Sequence, residues 1–435
     1  MDTPICDFVR RYGESGMLRL HMPGHKGLGE VEQLDITEVA GAASLYEADG
    51  IIARSEENAS RLFGCPTFYS TEGSSQCIRA MVHLATLHAK RQGRAPRIAA
   101  GRNAHKTFLS AAALLRVDVQ WLYAGESYLA CPVTAGDVEA LAEDVTALYL
   151  TSPDYLGNMV DIAAIARVCH RKGMLLLVDN AHGAYLRFLQ PSLHPMDLGA
   201  DICCDSAHKT LPVLTGGAYL HIREDALAAL GKNALALFGS TSPSYLILQS
   251  LDRANAYLAG GYPEKLASFV ARMVQMRSRL EKKGYVFLGG EPMKLTLHAK
   301  PFGYTGNGLA EQLRRQGIEC EFADPDYLVL MPTPELGEDG LQRLEAALMQ
   351  ITARPAIQDA PPAPSQAERV CSVTEALLSN GSMVAVEHSL GRVLASPSVG
   401  CPPAVPILVC GERIDRNAIA CFRYYGIDTC WVMDE

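Results

Sequence analysis

The chain has 435 residues, is 48% hydrophobic and carries a net charge of −9, so it is long enough for two or three domains with a large buried core. An acidic chain without a basic cluster does not suit nucleic acid, and with no run of eighteen apolar residues and no basic-then-apolar leader the expectation is a cytoplasmic protein with no membrane partner. Thirteen scattered cysteines, odd in number and lacking C-x-x-C spacing, read as reduced core thiols in a reducing compartment, with no disulfide frame and no metal site.

Residues 1–60 read as an arm ahead of the main sheet, in which LHMPGHKG, Leu20 to Gly27, is a structured turn dense in His, Gly and Pro. From Phe63 strand and helix signals alternate. PTFYST is a β-rich run, and Ser74 to His88 places Ile78, Met81, Val82 and Ala85 at helical spacing. Between them EGSSQ puts Gly73, Ser74 and Ser75 in a strand-to-helix turn, where helix N–H groups and two hydroxyls suit a phosphate, although a plain helix cap uses the same residues. RIAAG leads into RNAHKTFLSAAALL, so His105 falls just past another strand end, where it can also simply cap the helix that follows. DVQWLY, a helix over Asp137–Glu143 and TALYLTSP continue the alternation. DIAAIARVCHRKG is amphipathic, with Asp161 as its cap, Ile162, Ile165, Ala166 and Cys169 inward and Gly173 as its stop. Repeated βαβ units of this kind predict a mostly parallel sheet with right-handed crossovers.

The stretch from Met174 to Thr210 carries the chemistry. MLLLVDNAHGAY is an apolar strand that stops on Asp179, with His182 three residues on, and GADICCDSAHKT is a second short strand that stops on Ser206, His208 and Lys209. Ligands of open parallel sheets sit outside the carboxyl ends of the strands, so these side chains face a common site. An aspartate and a lysine placed there suit pyridoxal phosphate: the lysine forms an imine with the cofactor aldehyde, and the aspartate keeps the pyridine nitrogen protonated so that the ring accepts electrons. Singly, Asp179 also reads as a helix cap and Lys209 as a solvated loop residue. Beyond Lys209, TGGAYLHI is a strand and STSPS, with Thr241, precedes a long helix. Residues 61–260 thus form one large domain and 261–352 a smaller α/β domain. A Pro/Ala linker, 353–368, leads to a compact C-terminal piece, 369–435.

SAHKT followed by Gly216-Gly217, VDNAHGA upstream, HMPGHKG with LDITEVAG in the arm, and CPPAVPILVCGERI in the tail together resemble the Orn/Lys/Arg decarboxylase family, pyridoxal-phosphate enzymes of the aspartate-aminotransferase fold type I. The resemblance covers nearly the whole chain. It implies a cofactor site of Gly73, Ser74, Ser75, His105, Asp179, His182, Ser206, His208 and Lys209. His105 would stack on the ring, and His208 would bind phosphate or donate a proton to Cα. Thr241 would reach the phosphate of a neighbouring subunit, so that a homodimer or higher homo-oligomer shares its sites. It also implies decarboxylation of lysine, arginine or ornithine to the corresponding amine; another pyridoxal-phosphate reaction such as transamination, or a non-catalytic regulatory relative, is the alternative. A distal ammonium or guanidinium needs a carboxylate when desolvated, and Glu412 in CGERI is the expected partner near the mouth of the site. Asn180, Tyr185, Glu72, Cys401 and Cys410 depart from the family pattern, the first three beside the site without removing a cofactor contact.

Overall fold

The structure, a computed structural model, describes residues 1–47, 49–123, 130–399 and 405–434; of the departures named above, Cys401 lies outside them. Seven strands, β1 (Thr67–Ser70), β2 (Arg97–Gly101), β3 (Asp118–Leu122), β4 (Ala147–Thr151), β5 (Leu175–Asp179), β6 (Ile202–Asp205) and β7 (Ala218–Ile222), form one sheet. Their order is β1-β7-β6-β5-β4-β2-β3, with β7 antiparallel to both neighbours and the other pairs parallel. Every residue of β5 is buried, as expected of a central strand covered on both faces by helices.

Local chemistry sets the element ends. The helix Ile162–Arg171 begins where Asp161 accepts the Ala164 N–H at 2.9 Å, and its predicted inner face, Ile162, Ile165, Ala166 and Cys169, is buried. The helix expected over Asp137–Glu143 is shorter and earlier, Ala135–Glu139, because Thr134 and Asp137 close a capping box at its start. A long helix, Tyr262–Lys283, leads to a four-stranded antiparallel sheet of β8 (Val286–Leu288), β9 (Leu295–His298), β10 (Phe322–Ala323) and β11 (Tyr327–Leu330), in the order β10-β11-β9-β8.

Residues 353–368 contain no regular element, yet they are strapped down: Arg354 and Ile357 donate backbone N–H groups to Phe302 and Lys300. The C-terminal piece pairs Gly381–Ala385 with Thr429–Met433. Its apolar side chains, Val386, Leu394, Ile414, Phe422 and Val432, join Leu148, Leu176 and Val178 of β4 and β5 in one buried cluster, and this docks the piece on the large sheet.

In this strand order the chain turns from β2 and β3 on one side to β4, β5 and β6 on the other, so a crevice opens outside the carboxyl ends of β2 and β4. β4, β5 and β6 are in register there, with Thr151, Asp179 and Cys204 side by side.

Candidate active site

A cavity of about 640 Å³ occupies this crevice. Its inner wall collects residues from five strand ends: Ser74 after β1, Asn103 to Lys106 after β2, Thr151 and Tyr155 from β4, Asp179 and His182 from β5, and Lys209 after β6. Its outer wall is the C-terminal piece, with Met383, Ser396, Ser398, Ile427, Thr429 and Trp431.

Asp179 is buried at 2% exposure and its carboxylate is held by fixed donors. Tyr149 OH donates to Oδ2 at 3.0 Å and the Ala181 N–H to Oδ1 at 3.1 Å. Burial first, and then the negative charge of Asp179, keep the Tyr149 hydroxyl well above the usual phenol range, so it stays a donor. Lys209 Nζ lies 3.1 Å from His182 Nε2. Burial, reinforced by the cations of Lys294 and Lys209, holds His182 well below the ordinary imidazole range, so its ring is neutral. Accepting from Lys209 at Nε2 puts the ring proton on Nδ1, which is buried with no hydrogen-bond partner. The Tyr155 ring packs edge-on against His182, at 5.4 Å between centroids.

His105 lines the cavity and also caps the helix Lys106–Leu115, its Nδ1 3.3 Å from the Thr107 N–H. At the first turn, Gly73 takes a positive φ of 73°, which only glycine adopts without strain, and open space lies where a Cβ would project. The 18-residue helix Ser74–Arg91 starts there, with Ser206 Oγ 2.8 Å from Ser74 Oγ and Ser75 Oγ 3.2 Å from Thr107 Oγ1.

Gly73, Ser75 and Ser206 adjoin Ser74 without lining the cavity themselves, and three further expected residues lie elsewhere. His208 Nδ1 is bound to the Gly217 carbonyl at 3.0 Å, outside the cavity lining. Thr241 is exposed and does not line the cavity of its own chain. Glu412 is a correction: it is 1% exposed, forms a bidentate pair with Arg102 at 2.6 and 2.8 Å, and accepts the Val409 N–H at 3.0 Å. The guanidinium fork saturates the carboxylate that was expected to meet a substrate, and Glu412 joins the C-terminal piece to the loop after β2.

Several positions in and beneath the cavity wall escaped the sequence reading. Tyr155 follows the TALYLTSP strand, where the strand-end rule applied to Asp179 also points. Its hydroxyl donates to Glu321 Oε1 at 3.4 Å and so brings an exposed carboxylate to the rim of the cavity. Beneath the inner wall, Asp205 accepts from Asn180 Nδ2 at 2.6 Å, His221 Nε2 at 3.0 Å and His194 Nε2 at 3.1 Å, all buried. Burial opposes ionisation of Asp205, but the two imidazoles outweigh it and hold the carboxyl well below its usual range. His194 Nδ1 faces the Met196 N–H at 3.3 Å, so its Nε2 carries a proton and donates, leaving no lone pair there for a metal ion. Asn180 therefore has a job of its own in this chain: its amide ties the end of β5 to the end of β6. Of the other departures, Tyr185 is buried with its hydroxyl at the Met293 N–H, Glu72 accepts the Ser240 N–H just before Thr241, and Cys410 is buried.

Comparison with known proteins bears on the whole chain. The family model for the Orn/Lys/Arg decarboxylase major domain matches residues 3–289. An arginine decarboxylase of Bacillus subtilis (strain 168) is 27% identical over 96% of this chain and 92% of its own, and the uncharacterized protein YaaO of the same organism is 28% identical over 96% and 93%. The constitutive lysine decarboxylase of E. coli superposes with a TM-score of 0.77 at 18% identity, covering 100% of this chain and 82% of that one, a likeness of fold.

Proposed function

The chain belongs to the Orn/Lys/Arg decarboxylase family, and from that membership, which makes it a pyridoxal-phosphate-dependent decarboxylase of fold type I, we propose that it removes the α-carboxylate of a basic amino acid, with arginine the first choice. The observation that carries this reading is the convergence of Lys209, Asp179, His105 and Ser74 from four separate strand ends on one cavity.

The residues present fit the cofactor. Asp179 offers a buried carboxylate to a pyridinium nitrogen, Lys209 an amine to an aldehyde, and Gly73, Ser74, Ser75 and Ser206 a helix N-terminus with hydroxyls to a phosphate. Orphaned polar atoms in the same pocket, Thr151 Oγ1 and His182 Nδ1, mark it as built for a polar occupant. When bound, pyridoxal phosphate supplies an electron sink for the pair left at Cα as carbon dioxide departs.

The chain's own groups do the rest. Neutral His182 accepts from Lys209 Nζ and so orients the amine toward the cavity. Tyr149 and the Ala181 N–H keep Asp179 oriented, and the Tyr149 hydroxyl, with its raised pKa, does not release its proton in competition. His105, fixed by Thr107, stands where a flat ring would be covered. His208 lies outside the cavity lining and its Nδ1–H is spent on the Gly217 carbonyl, so of the two roles set out above, phosphate ligand and proton donor, the second gains nothing from this arrangement. With Glu412 consumed by Arg102, Glu321 is the carboxylate we assign to the distal cation of the substrate, positioned through Tyr155.

We propose that the working unit is a homodimer or higher homo-oligomer. The arm exposes Leu18, Leu20 and Leu28 at 82, 84 and 89%, apolar surface that a partner would cover, and Thr241 is exposed without lining the cavity of its own chain. Carbon dioxide release measured across a panel of amino acids tests the activity: gas from arginine, lysine or ornithine supports it. Gas only from an acidic or apolar amino acid, or a keto acid without gas, overturns it.

A further inference from the structure

Resting on the decarboxylase reading above, we infer that Trp431 selects the planar guanidinium of arginine over the ammonium of lysine. The basis is the outer wall of the cavity, which the family model does not reach, since its match ends at residue 289. In the two-stranded C-terminal sheet Met383 and Trp431 are direct cross-strand partners. The strand is anchored through buried Val432, while Met383 and Trp431, at 58 and 40% exposure, line the cavity beside Cys430. The indole is seated by design of the opposite strand: a Cβ at Gly381 would lie 2.5 Å from Trp431 Nε1, so the missing side chain is what lets the ring settle there.

A substrate whose α-amino group is seated at Lys209 has its side chain directed away from the strand ends, toward this wall or the Tyr155 rim. Among the described residues lining the cavity Asp179 is the sole carboxylate, whereas Lys106 and Lys209 are cations and Ser396, Ser398 and Thr429 contribute neutral hydroxyls. An ammonium is a compact, strongly hydrated charge that can meet the rim carboxylate of Glu321 but gains little from an indole and three hydroxyls. A guanidinium is planar and weakly hydrated; it stacks on an aromatic face while its in-plane N–H groups donate to hydroxyls and to a rim carboxylate such as Glu321. The wall therefore distinguishes the two cations by shape and hydration at equal charge.

The test uses the holoenzyme and two readouts. Trp431→Leu should lower the arginine-to-lysine ratio of kcat/KM about tenfold, chiefly through the KM for arginine, while Trp431→Phe, which keeps an aromatic face, should retain most of the ratio. The chain has two tryptophans, so Trp121→Phe leaves Trp431 as the reporting indole, and its emission should change on titration with arginine more than with lysine. An unchanged ratio in Trp431→Leu, or equal losses for both substrates, overturns the assignment while leaving the decarboxylase reading intact. Absence of gas from every basic amino acid with wild-type enzyme removes the reading itself, and the assignment with it.

Discussion

On the inner wall of the cavity Thr151 and Asp179 stand side by side on strands joined by ladder hydrogen bonds, whereas the outer wall is a two-stranded sheet carried on an apolar cluster and the buried Arg102–Glu412 pair. The inner wall is doubly fixed, because Asp205 beneath it draws Asn180 just after β5, His221 of β7 and His194 onto one carboxylate. The outer wall leaves its aromatic residue partly exposed. On the function proposed above, the difference teaches where chemistry and choice would reside: groups that hold a cofactor to within a fraction of an ångström on the sheet, and groups that meet a variable side chain on an appended unit.

The largest expected effect breaks the inner wall at its reactive group. Lys209→Ala should lower carbon dioxide release by about four orders of magnitude or more, as loss of a covalent catalyst does. Borohydride treatment of the holoenzyme followed by peptide mass mapping should tag Lys209. Lys106 lines the same cavity, and a tag there would transfer the role to the loop after β2.

Breaking the tie beneath the wall acts on stability. Asp205→Ala leaves the donors of Asn180, His194 and His221 buried without their acceptor, a loss of about 3–5 kcal/mol. Chemical denaturation of the holoenzyme measures it, and a loss under about 1 kcal/mol would mean that the cluster repacks without strain.

The same contrast explains what the sequence reveals. Asp179, His105 and Lys209 are legible because each lies within a few residues of an apolar strand end, and the strand-end rule is local. The Ser74–Ser75 turn is legible for the same reason. The outer wall is not, because Trp431 and Met383 reach the cavity only once a unit some 200 residues downstream of Lys209 has docked through its apolar face. Glu412 failed as a substrate partner on this ground: its motif gave an approximate place, but only the tertiary structure shows Arg102 already at its oxygens. The Asp205 cluster joins residues 180, 194, 205 and 221 through side chains that, read singly, look like ordinary core or loop positions.

Glu412→Gln turns that correction into a measurement on the outer wall. The amide keeps one acceptor but loses the charge opposite Arg102, so stability should fall by about 2–3 kcal/mol. The KM for the amino-acid substrate should move less than about twofold in the material that remains folded, because the side chain does not line the cavity. A rise in KM of tenfold or more with unchanged stability would return Glu412 to the substrate site.

A pH-dependent effect is expected where the inner wall meets the smaller domain. Lys294 is buried, and its Nζ donates to the carbonyls of Asp154 and Tyr155 at 3.1 and 3.2 Å, bracing the segment that carries the Tyr155 ring against His182. Burial pushes its pKa down to about 8, opposed by Glu291 and Asp154, with Lys209 adding to the fall and Glu321 resisting it. Between pH 8 and the ordinary lysine value the folded protein binds fewer protons at Lys294 than the unfolded chain. Stability therefore rises with pH across that window, by up to about 1.4 kcal/mol per pH unit from this group. Lys294→Met removes the titration, so the stability difference between wild type and variant, followed by denaturant unfolding from pH 7.5 to 10, should shift in favour of wild type as pH rises. A difference that stays flat across the window would mean that Lys294 keeps its proton in the folded state, with Glu291 and Asp154 compensating its burial in full.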